Sequence, residues 1–331
     1  MPRRQRIAYQ PGADQLALFP AVSGNAINGL GDSARRRPRP VYWFDPETIA
    51  HGALQKYFYA TSGRLSAGRA ESTQDVAKRG PETLDEIAPA TQQASPAQWA
   101  GRIKAFARAH EADLVGITAM HDEWVFEGHA VDGAWVVILG FAMDQRELAT
   151  GPPREGDVRS ADEVSRQYNR AARAAKALAN HIRGRGYPAD ARTGPWAGDM
   201  IMIPAAIEAG LGQLGKHGSM INDEYGASFR LSAVTTDLPL VPDAPRDIGV
   251  DDFCTTCQVC SDLCPPDAIF PDKQMVRGDM KWYVDFDKCL PYFNDTLGCA
   301  ICIAECPWSL PGVAPSLTRK LLRRRERKAG T

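Results

Sequence analysis

The sequence predicts a mixed α/β (α+β) chain: a large helix-and-strand core followed by a small cysteine-rich module. Three observations predict it. Short apolar runs of strand length alternate with amphipathic helical segments between residues 96 and 245. All eight cysteines fall between 254 and 306. The 331-residue length exceeds one typical domain and allows one large core plus a smaller unit.

Four segments follow from composition: 1–95, of unclear role; 96–245, the core; 246–310, the cysteine module; and 311–331, a basic tail. Residues 66–95 are polar and read as a long loop or linker. Trp99, Ile103 and Phe106 mark one face of a helix that Ser95-Pro96 would start. Asp113 to Thr118 and Trp135 to Met143 read as buried strands. A long amphipathic helix is expected over about 161–184, with Ser160 and Glu163 at capping-box spacing and Gly184 and Gly186 at its end. Ile203 to Ala209 predicts a short helix running into Gly210-Leu-Gly-Gln-Leu-Gly215. Phe229 to Thr236 has strand character, and Pro239 to Pro245 marks a boundary.

A net charge of −1 gives no global reason to expect nucleic acid or anionic membrane as partner. No run approaches the roughly 18–20 apolar residues that span a bilayer. The arginines at 3, 4 and 6 lack the apolar stretch and cleavage site of an export signal, so a cytoplasmic chain without a processed leader is expected.

The cysteines carry the sharpest signal. Cys254, Cys257, Cys260 and Cys264 follow the C-x2-C-x2-C-x3-C-P spacing that bacterial ferredoxins use for a cubane cluster. Cys289, Cys299, Cys302 and Cys306-Pro307 repeat it with the first gap widened. Two 4Fe–4S clusters are therefore expected. Because the fourth cysteine of such a run turns away to the other cluster, Cys254, Cys257, Cys260 and Cys306 would hold one. Cys264, Cys289, Cys299 and Cys302 would hold the other. Zinc ribbons rarely use a CxxCxxC run ending in Cys-Pro, and disulfides sit poorly with a cytoplasmic chain.

The segment 210–215 formally matches GxGxxG, but a helix precedes it where a dinucleotide site needs a strand, so a nicotinamide site is rejected. The longer segment Ile203 to Gly218 (IPAAIEAGLGQLGKHG) resembles corrinoid-dependent reductive dehalogenases, as does Tyr225 to Leu240 leading into Asp252-Phe-Cys254. Related epoxyqueuosine reductases share the AGLGxxGK core. The resemblance covers about 97–308 and implies a nitroreductase-like α/β core holding a base-off cobalamin or related corrinoid. None of the six histidines lies in a DxHxxG pattern that would ligate cobalt from below.

By position, the resemblance implies Tyr168 as proton donor, Arg230 as its cationic partner and Asp199 as a third polar site residue. A cation near a phenol favours phenolate, which suits proton return. Tyr168 also shares a helical face with Val164, Ala171 and Ala175, so a core role is the alternative. For Arg230 the alternative is a structural salt bridge. Gly210, Gly212, Gly215 and Gly218 would let backbone approach the corrinoid, with Lys216 and His217 touching its tail; a helix-terminating turn is the plain alternative. Trp196, Trp282 and Tyr283 are candidate pocket walls.

The implied reaction replaces halogen by hydrogen on a small organohalide, with electrons from an external low-potential donor such as a ferredoxin, a flavodoxin or a reductase. Epoxyqueuosine reduction in tRNA is the second reading. Against it stand the near-neutral charge and the lack of a helical-repeat tail; the basic run 319–328 speaks for it. A non-catalytic electron carrier or corrinoid-handling protein is the third. Oligomeric state stays open.

Overall fold

The computed structural model describes residues 5–65, 76–194 and 198–329. The N-terminal segment carries α1 (Ala13–Leu16), α2 (Gly24–Asn28) and α3 (Gly52–Leu65). The core runs α4 (Pro96–Ala109), β1 (Leu114–Ala119), β2 (Trp135–Ala142), α5 (Gln145–Leu148), α6 (Arg159–Arg183), β3 (Ala189–Arg192), α7 (Met202–Glu208), β4 (Gln213–Leu214), β5 (Met220–Ile221) and β6 (Phe229–Thr236). The cysteine module adds α8 (Val250–Thr256), α9 (Val259–Leu263), β7 (Gln274–Val276), β8 (Asp279–Lys281), α10 (Phe286–Asp295) and α11 (Ile301–Ala304), and α12 (Val313–Ala329) follows. Among the described residues no helix is long and apolar enough to cross a membrane.

The main sheet has the order β1-β2-β6-β3, with every pair antiparallel. Side chains alternate across a strand with period two. Val137, Leu139 and Phe141 of β2 accordingly face a core shared with α4 and α6, whereas Val136 and Ile138 face one shared with α7. A central strand covered on both faces needs an unbroken apolar run, which is what Trp135–Ala142 supplies.

Helix α4 starts as expected: Ser95 accepts from the Gln98 amide while the Gln98 side chain returns to Ser95, a reciprocal capping box. Helix α6 does not. It begins at Arg159, so Ser160 and Glu163 sit inside its first turns and Val158 takes the cap position without a side-chain bond. The buried Glu163 carboxylate turns inward instead, accepting from the Asp144 amide at 2.9 Å, Gln167 Nε2 at 2.8 Å and Arg166 at 2.6 Å.

The described part of the expected linker, from residue 76 on, is pinned down. The Ala88 and Gln92 amides donate to the Arg183 and Arg185 carbonyls at 2.9 and 3.0 Å, and Leu84 and Ala94 pack on the core beside α6.

The N-terminal segment covers the cysteine module. Buried Asn294 of α10 accepts from Tyr42 Oη at 2.7 Å and donates to Gln15 at 3.2 Å, and Phe58 of α3 stacks on Phe293 at 5.5 Å. Helix α12 is basic outside and apolar inside: Ala314, Leu317 and Leu321 pack near Cys254 and Cys306, while Arg325 pairs with Asp247 and Asp252.

Candidate active site and cluster module

Helix α6 and strand β6 bring the first two candidate residues together. Ser232 Oγ donates to the Ala171 carbonyl at 3.0 Å, tying strand to helix. Arg230 lies two residues before Ser232, on the same sheet face, and Tyr168 lies three residues before Ala171, one helical turn away. The Arg230 guanidinium carbon stands 5.4 Å from the Tyr168 ring centroid, a cation–π distance. Arg230 makes no ion pair among the described residues, and its Nε is buried without a hydrogen-bond partner.

Both side chains line a half-open cavity of about 260 Å³, together with Gly194, Met200, Ser219 and Ile303. Its walls are mainly apolar, so Arg230 and Tyr168 supply most of its directed chemistry.

The glycine-rich segment begins by closing α7. The Gly210 amide donates to the Ile207 carbonyl and the Leu211 amide to the Ala206 carbonyl, a Schellman motif with Gly210 at φ +73°. At Gly212 a Cβ would lie 2.2 Å from the Ile221 carbonyl oxygen, so β5 can pass only over bare backbone. The plain reading of these two glycines is thus sufficient for their presence. His217 is buried and its pKa is pushed down to about 4 by that burial, leaving it neutral at pH 7. Its Nδ1 accepts from the Ser219 amide at 3.2 Å, which delivers Ser219 and Met220 to the cavity wall.

Lys216 faces the cysteine module rather than the cavity. It is 1% exposed, and its Nζ is 5.0 Å from the Trp282 ring centroid. That ring packs in one buried cluster with Cys254 and Cys306.

No disulfide joins any of the eight cysteines. Cys306 interacts electrostatically with Cys254, Cys260 and Cys257, whereas Cys289 does so with Cys299 and Cys264, and Cys302 chiefly with Cys299 and Cys289. Cys302 interacts with Cys260 and Cys264 as well, and the division into two quartets is the one the ferredoxin spacing rule gives. Among the described residues no three His, Cys, Asp or Glu side chains close around a single-ion site. Burial pushes the Cys254 thiol up to about 11 and those of Cys260 and Cys306 up to about 12. Bare thiolates are costly there, and bound iron would relieve that cost. Backbone amides point at the sulfurs as well: Ala268 N–H donates to Cys264 Sγ at 3.3 Å. In the widened gap of the second motif, Leu297, Gly298, Cys299 and Ala300 all have positive φ, a strained run of the kind that collects at functional sites.

Residues 253–310 match the family described as 4Fe-4S dicluster domain. A tetrachloroethene reductive dehalogenase of Sulfurospirillum multivorans is 34% identical over 183 residues, covering 53% of this chain and 35% of that protein. The chain is related to the reductive dehalogenases. An epoxyqueuosine reductase of Cyclobacterium marinum is 35% identical over 121 residues, covering 31% of this chain and 35% of that protein. A solved catabolic reductive dehalogenase in complex with 3-bromo-4-hydroxybenzoic acid superposes with a TM-score of 0.66 at 25% identity, covering 86% of this chain and 41% of that one. The chain spans about a third of the length of the curated relatives it matches.

In this dehalogenase relative Asp199 is not on the cavity wall. Its carboxylate accepts from Arg192 at 2.8 Å and lies 2.9 Å from His129 Nδ1, a local ion network behind the site. Trp282 is buried in the cluster module with its Nε1 donating to Asp251 at 3.0 Å, and Tyr283 Oη donates to Asn25 at 3.0 Å. Neither lines the cavity, because both lie beyond β8 on the cluster side. Trp196 lies outside the described residues. Sequence reasoning missed Gly194, Met200 and Ile303 as wall residues. Of these, Ile303 carried a usable signal, since it directly follows the cluster cysteine Cys302.

Proposed function

We propose that this chain is the catalytic and electron-transfer part of a corrinoid-dependent reductive dehalogenase acting on a small organohalide. One observation carries the reading: Tyr168 and Arg230 share a cavity whose wall includes Ile303, the neighbour of Cys302. An electron carrier needs no such cavity, and a purely structural Arg230 would have its own partner.

The quartets Cys254/Cys257/Cys260/Cys306 and Cys264/Cys289/Cys299/Cys302 hold the two 4Fe–4S clusters. The corrinoid would be held by the turn through Gly215, His217, Gly218 and Ser219, where the buried His217 Nε2 has no partner among the described residues; Lys216 stands on the other side of that turn. When bound, the corrinoid supplies a low-potential cobalt centre able to break the carbon–halogen bond. The chain's own residues do the rest. Apolar walls exclude water and seat the organic part of the substrate. Tyr168 gives its phenolic proton to the carbon that loses halide. Arg230, 5.4 Å from the ring, stabilises the phenolate left behind and draws the departing anion. The balance is two electrons and one proton in, one halide out. The electrons come from an external low-potential donor through the clusters.

The test is anaerobic reconstitution of the full chain with iron, sulfide and hydroxocobalamin, followed by metal analysis and an assay of bromide release from 3-bromo-4-hydroxybenzoate. About eight irons, one cobalt and bromide release uphold the proposal. Eight irons without cobalt would reduce the chain to an electron carrier. Cobalt binding with turnover only of epoxyqueuosine-containing tRNA would assign it to the related reductases.

A further inference from the structure

A lysine that is 1% exposed and has no acidic partner is expensive to bury, because an ammonium loses its hydration and gains nothing in return. Lys216 is such a residue. Among the described residues its Nζ has no hydrogen-bond partner and no ion pair. Asp251, the acid bonded to Trp282, accepts from Lys273 at 2.8 Å and from Trp282 Nε1 at 3.0 Å. What Lys216 does face is sulfur. The Trp282 ring that its Nζ sits over packs in one buried cluster with Cys254 and Cys306, and the lysine's charge acts on both Cys254 and Cys260. The Trp282 ring, 5.0 Å from Nζ, closes the other side and keeps the charge in a low-dielectric pocket.

A cluster held by four thiolates carries net negative charge, and reduction adds one more electron. A fixed positive charge nearby therefore favours the reduced form, the more strongly as water is excluded. We infer that Lys216 supplies the countercharge of the cluster in the Cys254/Cys257/Cys260/Cys306 quartet and raises its reduction potential above that of its neighbour. Lys216 is a positioning residue here, acting through the cluster and not on substrate. The inference rests on the dicluster module and not on dehalogenation, so it stands or falls independently of the substrate assignment.

The experiment is an EPR-monitored redox titration of the full chain reconstituted with iron and sulfide alone. The unsubstituted protein should show two one-electron waves. In Lys216→Met one wave should move to lower potential by at least a tenfold change in the reduction equilibrium, about 59 mV for one electron, with the other wave unmoved. Lys216→Arg should hold the wave near its original position. Two unmoved waves in a fully loaded Lys216→Met protein would overturn the inference, as would an equal shift of both. Should Lys216→Met load poorly, Lys216→Gln takes its place. Loss of four irons in both neutral variants with full loading in Lys216→Arg upholds the need for the charge, and loss in all three overturns it in favour of simple packing.

Discussion

A Cβ at residue 194 would stand 2.5 Å from Cε1 of Tyr168 and 2.8 Å from Cδ1. The tyrosine ring fills space that any other residue at 194 would claim, so the orientation of the phenol depends on the absence of a side chain opposite. Gly194→Ala should push the ring off its present position while leaving the fold intact. A misplacement of this size costs a reaction about tenfold to a hundredfold. Steady-state turnover beside an unchanged melting profile checks it, and full activity would mean that the ring position is unimportant.

Tyr168→Phe should lower dehalogenation by about a hundredfold or more, the usual worth of a positioned proton donor. Iron and cobalt content should stay the same, since no cysteine and no part of the 215–219 turn is touched. Retained turnover would return Tyr168 to the apolar stripe that it shares with Val164 and Ala171.

Asp199→Asn should lower stability by about 1 kcal/mol, because it weakens the pair with the mostly buried Arg192 yet keeps a hydrogen-bonding oxygen. Turnover should change by no more than a few-fold, given that the carboxylate is not on the cavity wall. Denaturant titration and initial rates, measured side by side, separate this from a catalytic role, which would abolish turnover at unchanged stability.

Glu163→Ala should be far more damaging to the fold. It strips the acceptor from the part-buried Asp144 amide and from Gln167, which is 7% exposed. Leaving such groups unpaired costs roughly 2–3 kcal/mol. Glu163→Gln, which keeps a carbonyl oxygen, should recover much of that in the same unfolding titration.

Acid should weaken the protein through two histidines. Burial, with help from Arg185 and His110, pushes the His181 pKa down to about 4, and burial alone does the same to His217. In the unfolded chain both titrate near 6.5. Between these values the unfolded state binds protons that the folded state refuses. Stability from this source is therefore complete above about pH 6.5 and is lost as pH falls toward 4. His181→Leu, keeping an apolar group against Phe106, should flatten the dependence by at most about 1.4 kcal/mol per pH unit. An unchanged slope would show that His181 takes up its proton in the folded state.

Much of this was legible in the residues themselves. The strands at 114–119 and 135–142 are apolar runs, 229–236 is rich in β-branched and apolar residues, and α6 shows clear helical periodicity; these signals are local. The cysteine spacing is local too. What could not be read depends on distant partners. Ser160 and Glu163 have the spacing of a cap, but Asp144 and Gln167 recruit Glu163 to the interior. The N-terminal segment has no strong periodicity because its order comes from contacts with α10 across 252 to 279 positions of sequence. Trp282 is aromatic like a pocket wall, and only its place beyond β8 reveals that it serves the cluster side. Tyr168 and Arg230 were nameable through family resemblance, whereas Gly194 becomes visible only when the ring beside it is.

Ile303 belongs to the module that carries the cysteines, yet it forms part of the cavity that Tyr168 and Arg230 share. The wire and the vessel thus have a wall in common. Stripping the iron would relax α11, which Cys302 and Ile303 both occupy, and the cavity would lose its shape along with its supply of electrons. On the proposed reading, oxygen damage to the clusters would cost the protein its cavity and its electrons at one stroke.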